Sequence, residues 1–251
     1  MTATYRRSPI SPADFDAAYD RHIRNSHFFE AQEYYEQFRD RYLNTLRWVT
    51  RVLPLQGRVL DIGSGQFAVL CRHLLGCTAD VLDIDTRSAG ALEANGIGFH
   101  ALDLSREVFD APRPYDLVIM AEVIEHVPTP PHVVFSNLAP AIEPGGHLLV
   151  TTPNLYRLRN LVRLATGRRV FDYFLVPGPD QPLGHFLEYS QEQLDWHVRQ
   201  AGFELVESSL QQLTWGAGST SAKIARRAVA PLLKARPLWR DNLVVLARRP
   251  G

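Results

Sequence analysis

Val59-Leu60-Asp61-Ile62-Gly63-Ser64-Gly65-Gln66-Phe67 reads as a short apolar strand running into a glycine turn, with a helix opening at about Gln66. A strand that ends this way brings backbone N–H groups and a helix N-terminus to one spot. Gly63 and Gly65 let a ligand come close to the main chain. Asp61 sets a carboxylate beside the turn. Two anions repel, so such a turn suits a phosphate poorly and a positively charged ligand well. Gly63 to Ala68 also fits a loose Gly-x-Gly-x-x-Ala, the dinucleotide fingerprint. A lone Gly-x-Gly is often only a tight turn, so the rest of the chain must discriminate.

From Gly57 onward, strand and helix signals alternate, with strands expected at 57–62, 79–84, 97–101, 115–121 and 145–152. Alternation of this kind argues for an α/β chain with a doubly wound, mostly parallel sheet. Ligands bind such sheets beyond the carboxyl ends of the strands, which points to Asp61, Asp83, Asp103 and Glu122. Asp83 falls about twenty residues after the glycine turn, where a carboxylate can accept both ribose hydroxyls of an adenosine. Asp85 competes for that role or caps the helix that follows.

Tyr115-Asp116-Leu117-Val118-Ile119-Met120-Ala121-Glu122-Val123-Ile124-Glu125-His126-Val127 reads as a buried strand and a polar loop. Glu143-Pro144-Gly145-Gly146-His147-Leu148-Leu149-Val150-Thr151-Thr152-Pro153-Asn154 reads as a turn leading into a fifth strand. With residues 59–67, these stretches resemble motif I, motif IV and the fifth strand of the class I S-adenosylmethionine-dependent methyltransferases, in order and separation. The resemblance covers about 57–154 and extends more weakly to 185–209 and 242–248. It implies a seven-stranded Rossmann-like sheet whose final strand, Asn242-Leu243-Val244-Val245-Leu246, is antiparallel. It also implies S-adenosylmethionine, whose α-ammonium and sulfonium suit Asp61. The cofactor-binding residues it implies are Asp61, Gly63, Ser64, Gly65, Asp83, Ile84, Asp103, Leu104 and Glu122, with Asp103 receiving the adenine amino group. A solvated turn aspartate is the other reading of Asp103. One departure stands out: Phe67 occupies a position where the family commonly has a third glycine. Its side chain must point away from the cofactor, or the methionine part must sit differently.

Residues 1–53 read as a helical extension before a methyltransferase domain at 54–251. Ser11-Pro12-Ala13-Asp14 is a helix start, and a longer helix is expected from about Glu30 to Val52, ended by Pro54. Phe38, Tyr42, Leu46, Val49 and Leu53 make one apolar stripe on it. This preface either packs on the sheet edge or forms a lid over the cofactor through Tyr34 or Tyr35. The 251 residues carry 27 basic and 27 acidic side chains, a balance that argues against a general nucleic-acid binder. Cys71 and Cys77 lack metal-ligand spacing and read as buried filler. No apolar run approaches a membrane span, so a cytoplasmic, soluble protein is expected.

Two helical insertions are expected, at about 154–184 and 210–240. The first carries Arg157, Arg159, Arg163, Arg168 and Arg169 among leucines, the pattern of a basic amphipathic helix. The loop Val176-Pro177-Gly178-Pro179-Asp180-Gln181-Pro182 follows it, then His185-Phe186-Leu187-Glu188-Tyr189-Ser190, with Ser190 capping a helix that Gly202 closes. The second carries Lys223, Arg226, Arg227, Lys234, Arg236 and Arg240. Such segments are solvated helices, or they lie on an anionic membrane or grip a phosphorylated substrate. Thr-Pro-Asn, a basic insertion and His-Phe-x-Glu-Tyr-Ser together resemble methyltransferases of sugar and cell-surface glycan pathways. A small-molecule or glycan acceptor, lipid-linked or phosphate-bearing, fits that resemblance.

Methyl transfer to a hydroxyl benefits from a general base with a pKa near neutral. His126, on the loop after the fourth strand, and His185, on the first insertion, are the candidates, with Glu122 and Glu125 as orienting groups. No Asn/Asp-Pro-Pro-Tyr sequence follows the fourth strand, which disfavours nucleic-acid amines as acceptors, and no Cys-His-Asp cluster suggests a metal. Two alternatives stay open: a nicotinamide-dependent oxidoreductase on a Rossmann sheet, and a non-catalytic binding protein of the same fold. Asp61 and the absence of a Tyr-x-x-x-Lys pair oppose the first, and Phe67 favours the second.

Overall fold

The computed structural model describes residues 9–24, 32–171, 185–214 and 220–251, with the side chains of 32, 33, 35 and 220–227 left out of the description. The proposed loop at 176–182, the ring of Tyr35 and the side chains of Lys223, Arg226 and Arg227 lie outside the described residues.

Seven strands form one sheet: β1 Arg58–Ile62, β2 Thr78–Asp83, β3 Gly98–Ala101, β4 Tyr115–Ala121, β5 Ile142–Pro153, β6 Glu204–Gln211 and β7 Asn242–Arg248. Their order is β3-β2-β1-β4-β5-β7-β6. The first five are parallel, and β7 lies antiparallel between β5 and β6. The chain order reverses between β1 and β4, so a crevice opens beyond their carboxyl ends. That is the expected Rossmann-like architecture.

Side-chain alternation along the strands builds two cores. Val59, Leu117, Ile119 and Leu149 face one side, and Leu60, Val118, Met120 and Leu148 face the other. The first side is covered by α1 Pro12–Tyr19, α2 Gln32–Val52 and α3 Gln66–Leu75, and the second by α5 Pro131–Leu138 and α7 Gln191–Gln200. Local chemistry sets the helix ends. Ser11 Oγ accepts from Asp14 N–H at 3.0 Å to start α1, and Ser190 with Gln193 forms a reciprocal cap on α7.

The expectation that the helical preface packs on the sheet edge is corrected. Phe15, Tyr19, Tyr42 and Leu46 belong to the same buried cluster as β1 and β4, because the apolar stripe of α2 seeks the apolar sheet face. Phe67 joins them, 6% exposed, with its ring 5.1 Å from that of Tyr42. The Pro144-Gly145-Gly146 turn is also revised: it lies inside β5 as a bulge, where pairing with β4 slips from Tyr115↔Ile142 to Leu117↔His147. Gly145 there has φ 81°, and its N–H donates to Arg249 O at 2.9 Å.

Gly65 opens α3 at φ 94°, and a Cβ built there would lie 2.7 Å from Leu92 Cδ2. This glycine therefore serves packing of the turn on α4, Ala89–Ala94, as well as turn geometry. Gly65→Ala is expected to destabilise the fold by about 1–3 kcal/mol, from backbone strain and the Leu92 contact. Urea denaturation measures it, and an unchanged midpoint would contradict this account.

Candidate active site

Asp61 ends β1 and is 3% exposed. Its Oδ2 accepts from the N–H of Ala68, in the first turn of α3, at 3.0 Å. A carboxylate at a helix N-terminus is favoured by the helix dipole. Burial nevertheless dominates and pushes its pKa up to about 7; backbone N–H groups of Ala68 and Phe67 pull against the shift, and the charge of Asp83 adds to it. Gly63, at φ 117°, donates to Leu82 O at 3.0 Å and approaches Val123 across the crevice. Ser64 Oγ donates to Gln66 Oε1 at 2.6 Å, while Gln66 Nε2 is buried with no hydrogen-bond partner. An orphaned amide donor beside the glycine turn suits an anionic group on a ligand.

Beyond β2, Asp85 caps a short turn at Thr86–Ser88: its Oδ1 accepts from Arg87 N–H at 3.0 Å and its carboxylate pairs with the Arg87 side chain. That pairing, through the Arg87 side-chain hydrogen bond first, holds Asp85 below the usual carboxylate range. Asp83 is half-buried, and burial raises its pKa. Between them Ile84 stands 64% exposed, an apolar side chain presented at the rim of the crevice. Beyond β3, Asp103 is held by its own turn. Its Oδ1 accepts from Ser105 N–H at 2.9 Å and Ser105 Oγ at 2.6 Å, and the hydroxyl is the main reason its pKa is lowered. The Leu104 side chain is buried in the second core, so a ligand there would meet its backbone.

Glu122 follows β4 with φ 57°, a left-handed conformation that costs a β-carbon residue strain. Its carboxylate is engaged by protein on every side: Thr151 Oγ1 donates to Oε1 at 2.9 Å, Asn242 Nδ2 at 3.2 Å, and Arg41 Nη1 to Oε2 at 3.2 Å. Glu122 thus ties α2, β5 and β7 together. Arg41, absent from the sequence reading, also donates to Tyr34 Oη at 2.6 Å and lies 4.2 Å over the Phe38 ring. Its sequence signal was a charge beside Tyr42 in the apolar stripe, a position that demands a partner.

The two histidine candidates come together. His126 lies in the turn Ile124–His126, and its ring is 4.8 Å from that of His185, edge to face. The insertion is anchored there by Phe186 N–H donating to Glu125 O at 2.8 Å. His185 Nδ1 is 3.1 Å from Glu188 Oε1. Glu188 also takes Arg157 and the Nδ2 of Asn160, so Arg157 is a buried ion-pair partner and not part of a solvated basic face. Burial alone would raise the Glu188 pKa, but His185, Arg157 and Asn160 outweigh it and lower it. Glu125, 1% exposed, accepts from Thr152 Oγ1 at 2.9 Å through Oε2. Burial first, then the charge of Glu122, raises its pKa well above the usual range. One donor atom each from Glu125, His126 and His185 lie within 4.8 Å of one another. Glu125 and His126 are neighbours in sequence, but His185 joins them only through the fold.

The sheet, the crevice and its carboxylates define a Rossmann-like methyltransferase. A sequence profile described as "Methyltransferase domain" matches residues 30–208, and the chain belongs to this family, the class I S-adenosylmethionine-dependent methyltransferases. The ubiquinone biosynthesis O-methyltransferase of Cupriavidus pinatubonensis is 27% identical over 192 residues, 72% of this chain and 74% of that one. The protein of the same name from Ralstonia nicotianae is 30% identical over 174 residues, 64% of this chain and 70% of that one. A crystal structure of an S-adenosylmethionine-dependent methyltransferase from Mesorhizobium loti aligns with TM-score 0.55 at 20% identity, over 83% of this chain and 98% of that one, a likeness of fold. No described helix is long and apolar enough to cross a membrane.

A raised carboxyl pKa favours folding below about pH 4 and loses that contribution as pH rises through about 7. Asp61→Asn keeps an acceptor for Ala68 but cannot ionise. Its stability relative to the parent should therefore rise between pH 5 and 8, and urea denaturation at several pH values reads the difference. A difference independent of pH would show that ionised Asp61 carries no burial penalty.

Proposed function

We propose that this methyltransferase acts on a hydroxyl oxygen of a small-molecule or glycan acceptor, with the cofactor across the ends of β1, β2 and β4 and the acceptor at His126 and His185. The observation that carries the reading is Asp61, a buried carboxylate poised near neutrality beside an open glycine turn. Such a group gains most from a cationic ligand, which removes the cost of its own charge. When bound, S-adenosylmethionine supplies an already activated methyl group on sulfur. The fit of the chain to it runs residue by residue. Asp61 faces positive charge, and Gly63, Ser64, Gly65 and Gln66 offer backbone and amide donors to its carboxylate end. Asp83 accepts ribose hydroxyls, Ile84 lies against the adenine, and Asp103 with the Leu104 backbone meets the adenine edge. Glu122 acts through Arg41, tying α2 to the crevice wall, and the described part of the extension at 1–53 forms a fixed layer on the domain at 54–251.

The protein's own task is alignment, which contributes roughly 7–11 kcal/mol in well-oriented reactions. Oxygen as the methylated atom is supported by the names of the O-methyltransferase relatives. His185, oriented through Nδ1 by Glu188, presents its other nitrogen to an acceptor hydroxyl, and its lone pair there favours loss of the hydroxyl proton. A lipid-linked or phosphate-bearing acceptor is supported by helix α6, Leu158–Ala165, where Val162 and Leu164 are exposed beside Arg159 and Arg163. Burial and the neighbouring guanidinium of Arg157 lower the pKa of Arg159, a crowding of positive charge that an anion would relieve. Peripheral membrane contact of this helix and a cytoplasmic location complete the reading, the latter supported by two buried cysteines.

Calorimetric titration with S-adenosylhomocysteine, with NADH as control, tests the site. Because its α-ammonium prefers ionised Asp61, affinity should strengthen about tenfold from pH 6 to pH 8, and Asp61→Asn should lose both affinity and that dependence. Binding of NADH alone would refute the assignment. His185→Ala should lower kcat by roughly 10²–10⁴-fold while leaving S-adenosylhomocysteine affinity unchanged; an unchanged kcat would remove His185 from the acceptor site.

A further inference from the structure

Outside the crevice, one cavity is lined by two cations and no acid. Helix α8, Thr220–Ala235, and the turn at Pro237–Trp239 carry the chain from β6 back to β7. Against the end of β6 they leave a cavity of about 380 Å³, lined by Gln211, Gln212, Ala230, Leu233, Lys234 and Arg240. That volume falls within the range of small-ligand sites, roughly 300–1,000 Å³. Arg240 is fixed there by two backbone carbonyls: its Nη1 donates to Leu210 O at 2.9 Å and its Nε to Leu233 O at 3.3 Å. Both partners are neutral, so the guanidinium keeps its whole charge and has N–H donors left over. Among the described residues, no carboxylate forms an ion pair with Arg240 or Lys234. Even Asp241, next to Arg240 in the chain, gives its carboxylate to Gln212 Nε2, while its N–H donates to Gln212 Oε1 at 3.2 Å. Covering two carbonyls explains the place of Arg240, but it does not explain a second cation beside it.

We infer that this cavity binds a phosphate monoester group, with Arg240 and Lys234 as its two charged ligands. Like charges on one cavity repel, and an anion between them relieves both. A phosphate monoester carries a charge of about −1.5 to −2 at pH 7, which matches two cations, whereas a single carboxylate matches one. A guanidinium fork suits two phosphate oxygens, and an ammonium meets a third as a point charge. Gln211 spends one amide N–H on Ser209 Oγ at 3.0 Å and keeps the other. Leu233, 6% exposed, and Ala230 supply an apolar wall for the carbon part of the ester. The cavity draws on no residue of the crevice, so the inference holds whatever the methyl acceptor is. It is nonetheless tied to the same end of the sheet: Arg240 O accepts from Asn154 Nδ2, after β5, at 2.8 Å, and Gln211 stands opposite Asn242 in the β6–β7 ladder. An occupant bridges α8 to the β6–β7 pair and stabilises the folded chain by mass action.

The full chain is titrated calorimetrically with inorganic phosphate and with glycerol 3-phosphate at fixed ionic strength, and its thermal unfolding is followed at the same concentrations. One equivalent of each is expected to bind, and the unfolding temperature should rise with phosphate. Lys234→Gln should weaken phosphate affinity about tenfold, and Arg240→Gln roughly 10–100-fold. Lys234 is exposed, so its variant keeps the test intact if Arg240→Gln fails to fold. Arg113→Gln is the control, because Arg113 is an exposed cation before β4, outside the cavity lining; it should leave affinity unchanged. S-adenosylhomocysteine affinity should be the same in Lys234→Gln as in the parent. Absence of saturable phosphate binding, full affinity in Lys234→Gln, an equal loss in Arg113→Gln, or a matching fall in S-adenosylhomocysteine affinity would each overturn the inference. Vesicles of phosphatidylcholine with phosphatidic acid separate the two sources of a phosphate monoester. Retention on them without binding of either soluble phosphate would also overturn it, by assigning these cations to a membrane surface and not to an enclosed ligand.

Discussion

The hydrogen bond from Ala68 N–H to Asp61 Oδ2 joins the end of the first strand to the first turn of the helix behind it. Everything at the crevice is placed relative to that junction. It holds a carboxylate out of water at the one point where the parallel sheet changes direction, in an environment that resists its charge. A hydrophobic residue there would suit the core better. Keeping an acid at such a place is the kind of local inconsistency that marks a site built for a ligand.

A second constraint works from the opposite wall. Glu122 has a left-handed backbone and a carboxylate shared among Thr151, Asn242 and Arg41. Losing one partner of a buried ion pair is far more costly than the pair is stabilising. Arg41 and Glu122 therefore commit the long amino-terminal helix to one position on the sheet, while its apolar stripe supplies the burial. This is why the preface is a layer of the core, and why Phe67 has Tyr42 to pack against and no reason to fill the crevice.

Most of the sheet was legible because its signals are local. Apolar runs, glycine turns and capping residues such as Ser11, Asp85 and Ser190 act within a few positions of themselves, and each does what its type and place require. The antiparallel final strand was legible only through family resemblance. What escaped was set by contacts between distant positions. Arg41 meets Glu122 across 81 residues, and Arg157 meets Glu188 across 31. Arg157 sat in a stretch whose pattern described a surface and Arg41 beside an apolar stripe, and only packing shows each paired inside. The bulge at Gly145 escaped for a related reason: its register depends on the backbone of Arg249, which a local turn signal does not include.

The place of β7 has a consequence for how the molecule comes together. It is made after β6, yet lies between β5 and β6 and hydrogen-bonds to both. Until residues 242–248 exist, β6 has no neighbour to join and the far edge of β5 is bare. The same strand brings Asn242 to Glu122. A chain in which residues 242–248 have not yet taken their place therefore carries an open sheet edge and an unfinished crevice wall. Closure of the sheet and completion of that wall become one event, so a chain that has not folded fully has little opportunity to act as an enzyme.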